Sequence, residues 1–175
     1  EIMPSLVGSE MCIRDSVNTY EKEIKMKQGT PVILCIGSDK IAGDSVGPIV
    51  GDILKNRLNA RCFVYGATGK SVNGRNVQDF LKLIKCAHPE SPVIAVDACL
   101  SKEAEKPFVA VVSGGVNPKR AITGIENPAG DVGILGAVEK PSDDPLKTLM
   151  AVSWDKVQKT SVKIAIALYK ALFPA

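Results

Sequence analysis

The stretch Pro31–Leu54, PVILCIGSDKIAGDSVGPIVGDIL, leaves this chain few folds to choose from. Val32, Ile33, Leu34, Cys35 and Ile36 form an unbroken apolar run, as expected of a parallel strand covered on both faces. Gly37 and Gly43 bracket a polar loop that carries Asp39 and Asp44. Val46, Ile49, Val50, Ile53 and Leu54 then recur at helical spacing. Pro48 is tolerated only near a helix start, so the helix is expected to begin close to Asp44. Strand, glycine turn and helix together place a carboxylate at the carboxyl end of a central strand. In open α/β sheets that end is where ligands bind.

The rest of the chain extends this unit. Arg61–Tyr65 reads as a second short strand, and Asn76 after the loop GATGKSVNGRN as a helix cap. Val77, Phe80, Leu81, Leu83, Ile84 and Ala87 form the apolar face of a second helix, which HPESP closes. Pro92–Val96 is a third strand, expected to end at Asp97. The order βαβαβ predicts a parallel sheet with right-handed crossovers. In the second half, Phe108–Val112, Asp131–Val138 and Leu146–Val152 read as strands, with a turn at Gly114, Gly115, Asn117 and Pro118. Strands without helices between them predict an antiparallel extension at the sheet edge. Ser153 or Asp155 caps a last helix reaching about Phe173, with Val157, Ser161, Ile164, Ala165, Leu168 and Leu172 buried and Trp154 and Tyr169 in its packing.

Size and charge narrow the function classes. With 175 residues, one domain is expected, with enough chain for a real core. The net charge of +3 is not concentrated in a basic block, so nucleic acid is not indicated as a partner. No apolar run reaches the roughly 18 residues that span a membrane. The five cysteines form no CxxC pair, which suits reduced thiols in a cytoplasmic protein. Residues 6–16, LVGSEMCIRDS, resemble a peptide that recurs at the ends of unrelated predicted proteins, translated from sequencing-adapter sequence. The expected organisation is a non-native or disordered leader over 1–16 and a single α/β domain over 17–175, opening with a short surface helix over 17–28.

Asp44 and Asp97 are the candidate catalytic residues, because each follows the end of an apolar strand. The first and third strands of a doubly wound sheet are usually neighbours, about 4.8 Å apart, so the two carboxyls are expected to share a cleft and titrate together. Asp44, at a helix start, should hold its charge more easily, and Asp97, among apolar neighbours, should keep its proton longer. One charged and one neutral carboxyl can activate a water and protonate a leaving group. The ordinary alternative is a capping aspartate and a strand-end aspartate in a fold without activity.

The segments GSDKIAGDSVGP, VYG, AVDACLS and GGVNP, in this order and spacing, resemble a sporulation-associated family related to the germination protease of spore formers. More distantly the chain is similar to the hydrogenase-maturation proteases. The resemblance implies a three-layer phosphorylase/hydrolase-like α/β fold with a mainly parallel central sheet and an antiparallel extension in its second half. It implies Asp44 and Asp97 as the catalytic pair, and Ser38, Asp39, Gly43, Ser45 and Asn117 as substrate-binding positions. Maturation proteases bind nickel through two carboxylates and a histidine. His88, the single histidine, matches no ligand position, and Asn73 stands where the closer family often has a histidine. No metal and no cofactor are therefore expected.

Weaker motifs remain. GATGKS lacks the first glycine of a phosphate loop, since Val64 stands there, and Gly74 interrupts the following helix. Cys99 has no histidine placed to activate it. Lys102, Lys106, Lys119 and Arg120 read as solvated charges near the cleft. The expected function is a cytoplasmic peptidase acting on a protein or peptide segment. The alternatives are a catalytically silent binding or regulatory protein with the same fold, and a metal-dependent maturation protease. Whether the chain forms a homo-oligomer stays open.

Overall fold

The computed structural model describes residues 27–104, 108–118 and 128–174. The leader over 1–16, nearly all of the expected helix over 17–28, and Lys106, Lys119 and Arg120 lie outside the described residues. Five strands form one sheet in the order β2-β1-β3-β5-β4. They are β1 (Val32–Cys35), β2 (Phe63–Tyr65), β3 (Val93–Leu100), β4 (Phe108–Ser113) and β5 (Val132–Glu139). All neighbouring pairs are parallel except β4 with β5. The antiparallel extension is thus a single edge strand, because β5 runs parallel to β3 in the body of the sheet.

Among the described residues the helices are α1 (Val46–Asp52), α2 (Val77–Ala87), α3 (Pro145–Ala151) and α4 (Trp154–Leu172). A π turn over Ile53–Arg57 continues α1. Alternation along the strands divides the core in two. Ile33, Cys35, Ile94, Val96 and Ile134 pack against Val46, Val50 and Leu54 of the first helical segment and Ile164 and Leu168 of α4. Val32, Leu34, Ile36 and Ala95 pack on the other face against Val77 and Ile84 of α2 and against Val116 and Ala129. Helices on both faces make this a three-layer α/β fold. β1 and β3 are direct neighbours, with Cys35 opposite Val96.

Several local expectations are corrected. The segment Leu146–Val152 is not a strand: α3 spans Pro145–Ala151. Its start was written in Asp144-Pro145, since the Asp144 carboxylate accepts the Lys147 N–H at 3.1 Å and proline suits the first helical turn. β3 does not stop at Asp97 but continues to Leu100, because β5 supplies a partner at each step. Asn76 precedes α2 without capping it by its side chain. Its amide oxygen instead accepts the Asn73 N–H at 2.8 Å and its amide nitrogen donates to the Ser71 carbonyl at 3.2 Å. Leu83 and Trp154 point outward, at 51% and 52% exposure, so neither belongs to the core. Ser153 caps α4 as expected, accepting the Lys156 N–H.

Candidate active site

The site begins where β1 ends. Asp97 is one residue beyond Val96, the residue that faces the last position of β1. β3 therefore carries Asp97 past the end of its neighbour while still pairing it with Leu135 of β5. Beyond Ile36 the chain turns through Gly37, whose φ is +139°. A Cβ there would lie 2.0 Å from the Asp44 carbonyl oxygen, so only glycine lets the turn close. The Ser38 N–H donates to that carbonyl at 3.0 Å. Asp44 ends a 3-10 turn, Ala42–Asp44, directly before α1.

Asp44 is half-buried, and loss of water contact pushes its carboxyl up to about 6, against the opposing influence of the Ser38 N–H. Asp97 is raised well above the ordinary carboxylate value, first by burial and then by the charge of Asp44. The Ala98 N–H, 2.8 Å from Asp97 Oδ1, opposes the shift. The Asp44 charge therefore acts on Asp97, which holds its proton after Asp44 has lost its own. Between those two steps the site contains one carboxylate and one carboxylic acid.

The other predicted site residues have distinct settings. Ser45 is 1% exposed, and its hydroxyl turns inward toward the Ser38 carbonyl at 3.1 Å and the Ile41 carbonyl at 2.9 Å. Ser38 Oγ accepts the Lys40 N–H at 3.3 Å. Gly43 is buried under α3, where a Cβ would meet the Leu149 carbonyl oxygen at 2.8 Å. Asp39 is exposed and accepts from the Gly69 N–H at 2.9 Å and the Ser71 hydroxyl at 3.3 Å. Asn117 follows Val116, which bridges to Ala129 on the face lined by Ala95. Strand alternation puts Asp97 on that same face as Ala95. The buried amide oxygen of Asn117 has no hydrogen-bond partner among the described residues.

A family model described as "Protein of unknown function (DUF1256)" matches residues 7–167. The chain belongs to this family. It is also similar to a Bacillus subtilis protein named "Uncharacterized protein YyaC", with 34% identity over 116 residues, 66% of this chain. The aligned part is 57% of that relative's length. The family match takes in Asp44, Asp97, Asp39 and the loop that Asp39 holds.

Groups outside the pair have other duties. His88 lies at the end of α2, its Nε2 2.9 Å from the Tyr65 hydroxyl and its ring stacked on Phe63 with centroids 3.9 Å apart. Among the described residues, no group of three or more His, Cys, Asp and Glu side chains is placed to hold a metal ion. Cys99 is half-buried, and burial together with Asp97 pushes its thiol up to about 12, opposite to what a nucleophile needs. Lys102 lies in the loop after β3 and is exposed. In GATGKS the Gly69 amide already faces an anion, the Asp39 carboxylate, as a phosphate loop's amides would face a phosphate. No helix among the described residues is long and apolar enough to cross a membrane.

The Gly43–Leu149 approach and the Asp39–Gly69 hydrogen bond are not visible in the sequence. Each joins segments far apart in the chain, with no periodicity linking them. The signal for α3 was present in Asp144-Pro145.

Proposed function

We propose that this chain is a peptidase that uses Asp44 and Asp97 to activate a water against a peptide carbonyl. The observation that carries this reading is a pair of burial-raised carboxyls, Asp97 one step past the last residue of β1 on the neighbouring β3 and Asp44 in the turn that follows β1, with the Asp44 charge acting on Asp97. Asp44, ionised above about 6, takes a proton from the water as its oxygen bonds to the carbonyl carbon. Asp97, still protonated, donates to the amide nitrogen as the C–N bond breaks. The pair ends with its proton transferred from Asp97 to Asp44, and exchange with solvent resets it. The substrate is a peptide segment in extended form, reached from the side that Val116 and Asn117 border. The resemblance to the germination protease family suggests a cytoplasmic, sporulation-associated substrate. It also suggests hydrolysis without a cofactor.

A second reading has its own support. The one histidine is engaged with Tyr65 and Phe63, so no imidazole is free to act as a base beside the aspartates. On this reading the chain is a binding or regulatory protein that retains a peptidase fold. The metal-dependent alternative would need a third ligand besides Asp44 and Asp97, and His88 is committed elsewhere.

Incubation with an unfolded protein substrate, followed by mass spectrometry of fragments, separates the readings. Hydrolysis predicts fragments from the wild type and at least about a hundredfold slower cleavage by Asp44→Asn and Asp97→Asn. Substrate binding without fragments from any form supports the silent protein. Cleavage that survives both substitutions removes the pair from the mechanism.

A further inference from the structure

We propose that Asp39 is a positioning residue whose carboxylate clamps the loop over residues 66–72 to the turn bearing Asp44, and so fixes the Ser38 amide against Asp44. The inference rests on reading Asp44 and Asp97 as a working pair, and it gives Asp39 a different role from substrate binding.

β2 ends at Tyr65 and β1 at Cys35, yet the two chains meet again beyond these ends. Ile36 and Val72 form an isolated parallel bridge, and the Gly37 N–H donates to the Val72 carbonyl at 2.7 Å. The residues between Tyr65 and Val72 loop outward and return. The loop tip has little packing, since a Cβ on Gly69 would meet nothing within 4 Å. Asp39 ties it down through Oδ2 to the Gly69 N–H at 2.9 Å and Oδ1 to the Ser71 hydroxyl at 3.3 Å. Both carboxylate oxygens are thus engaged within the protein.

The consequence reaches Asp44 through the adjoining residue. The Ser38 N–H donates to the Asp44 carbonyl at 3.0 Å and opposes the rise in the Asp44 carboxyl. The Ser38 carbonyl accepts the Ser45 hydroxyl at 3.1 Å. The Ser38–Asp39 unit is therefore held on one side by the loop and on the other by the Asp44 turn. The Gly69 N–H keeps the Asp39 carboxyl below its ordinary value, so the clamp stays charged while Asp44 titrates. A free Asp39 would leave the Ser38 peptide able to rotate away from Asp44.

Amide hydrogen exchange on the full chain tests the clamp without depending on cleavage. Asp39→Ala is expected to speed exchange at both Gly69 and Ser38 by about tenfold or more. Asp39→Asn, which keeps an acceptor oxygen, is expected to hold both within about threefold of the wild type. In the cleavage assay, Asp39→Ala is expected to lower kcat with KM unchanged, and Asp39→Asn to restore it. A Ser38 amide as protected in Asp39→Ala as in the wild type overturns the proposal, as does Asp39→Asn behaving like Asp39→Ala or a change confined to KM. If Asp39→Ala does not fold, Ser71→Ala removes half of the clamp, and unchanged exchange at Ser38 in that variant also overturns it. A wild type that cleaves nothing refutes the peptidase reading and leaves the exchange result decisive for the clamp.

Discussion

Leu149 of α3 lies directly over Gly43, where an added Cβ would meet the Leu149 carbonyl oxygen at 2.8 Å and its Cδ2 at 2.9 Å. The contact seats α3 on the turn that carries Asp44, so the last third of the chain braces a loop near its beginning. Gly43→Ala forces backbone to move, and overpacking of this kind costs about 1–3 kcal/mol. Urea unfolding should show that loss. Gly69→Ala meets no atom but occupies a φ of +78°, so its cost comes from backbone strain alone.

The Asp44 carboxyl destabilises the fold whenever it is ionised. Its folded value is raised to about 6, above its unfolded value, so the native state binds the extra proton. Stability is therefore highest below the unfolded value and falls as pH rises through about 6. Asp44→Asn removes this dependence. The variant is expected to be more stable than the wild type by about 3 kcal/mol near neutral pH, with the gain vanishing in acid. Urea midpoints across pH check the sign, and a variant less stable at neutral pH contradicts it.

On the peptidase reading, the same two carboxyls set the pH dependence of cleavage. The rate is expected to climb as Asp44 ionises through about 6 and to fall at higher pH as Asp97 loses its proton. Rates of fragment formation at saturating substrate would show a bell. A rate that rises to a plateau and stays there would exclude Asp97 as the acid.

On the peptidase reading, His88 serves the fold through Tyr65 and Phe63 and takes no part in cleavage. Tyr65→Phe removes the hydroxyl that meets His88 Nε2 at 2.9 Å, and His88→Ala also removes the stack on Phe63. Each is expected to cost about 1 kcal/mol of stability and to leave cleavage within about twofold of the wild type. Thermal melts and fragment assays on the same samples measure both effects.

Much of this architecture was legible in local patterns. The apolar runs Val32–Ile36 and Val93–Val96 announced two buried parallel strands, and their adjacency put the two aspartates in one region. The apolar run alone ends β3 at Asp97, whereas β5, a partner more than thirty residues away, prolongs the strand to Leu100. Leu146–Val152 reads equally well as strand or helix in its apolar content, and only Asp144-Pro145 decides for helix. The resemblance puts Ser45 among substrate-binding positions, whereas the direction of its hydroxyl depends on which carbonyls the loop presents, here Ser38 and Ile41. Asp39 and Gly69 are joined only in three dimensions, and no spacing rule connects them.

Carbon-detected NMR titration of the Asp44 and Asp97 carboxyls, in the wild type and in Asp44→Asn, tests the coupled pair most directly. The account predicts a wild-type Asp44 midpoint at about 6, an Asp97 midpoint well above the ordinary carboxylate value, and a downward move of Asp97 once the Asp44 charge is gone. An Asp97 midpoint in the ordinary carboxylate range, or one that stays put in Asp44→Asn, would contradict it.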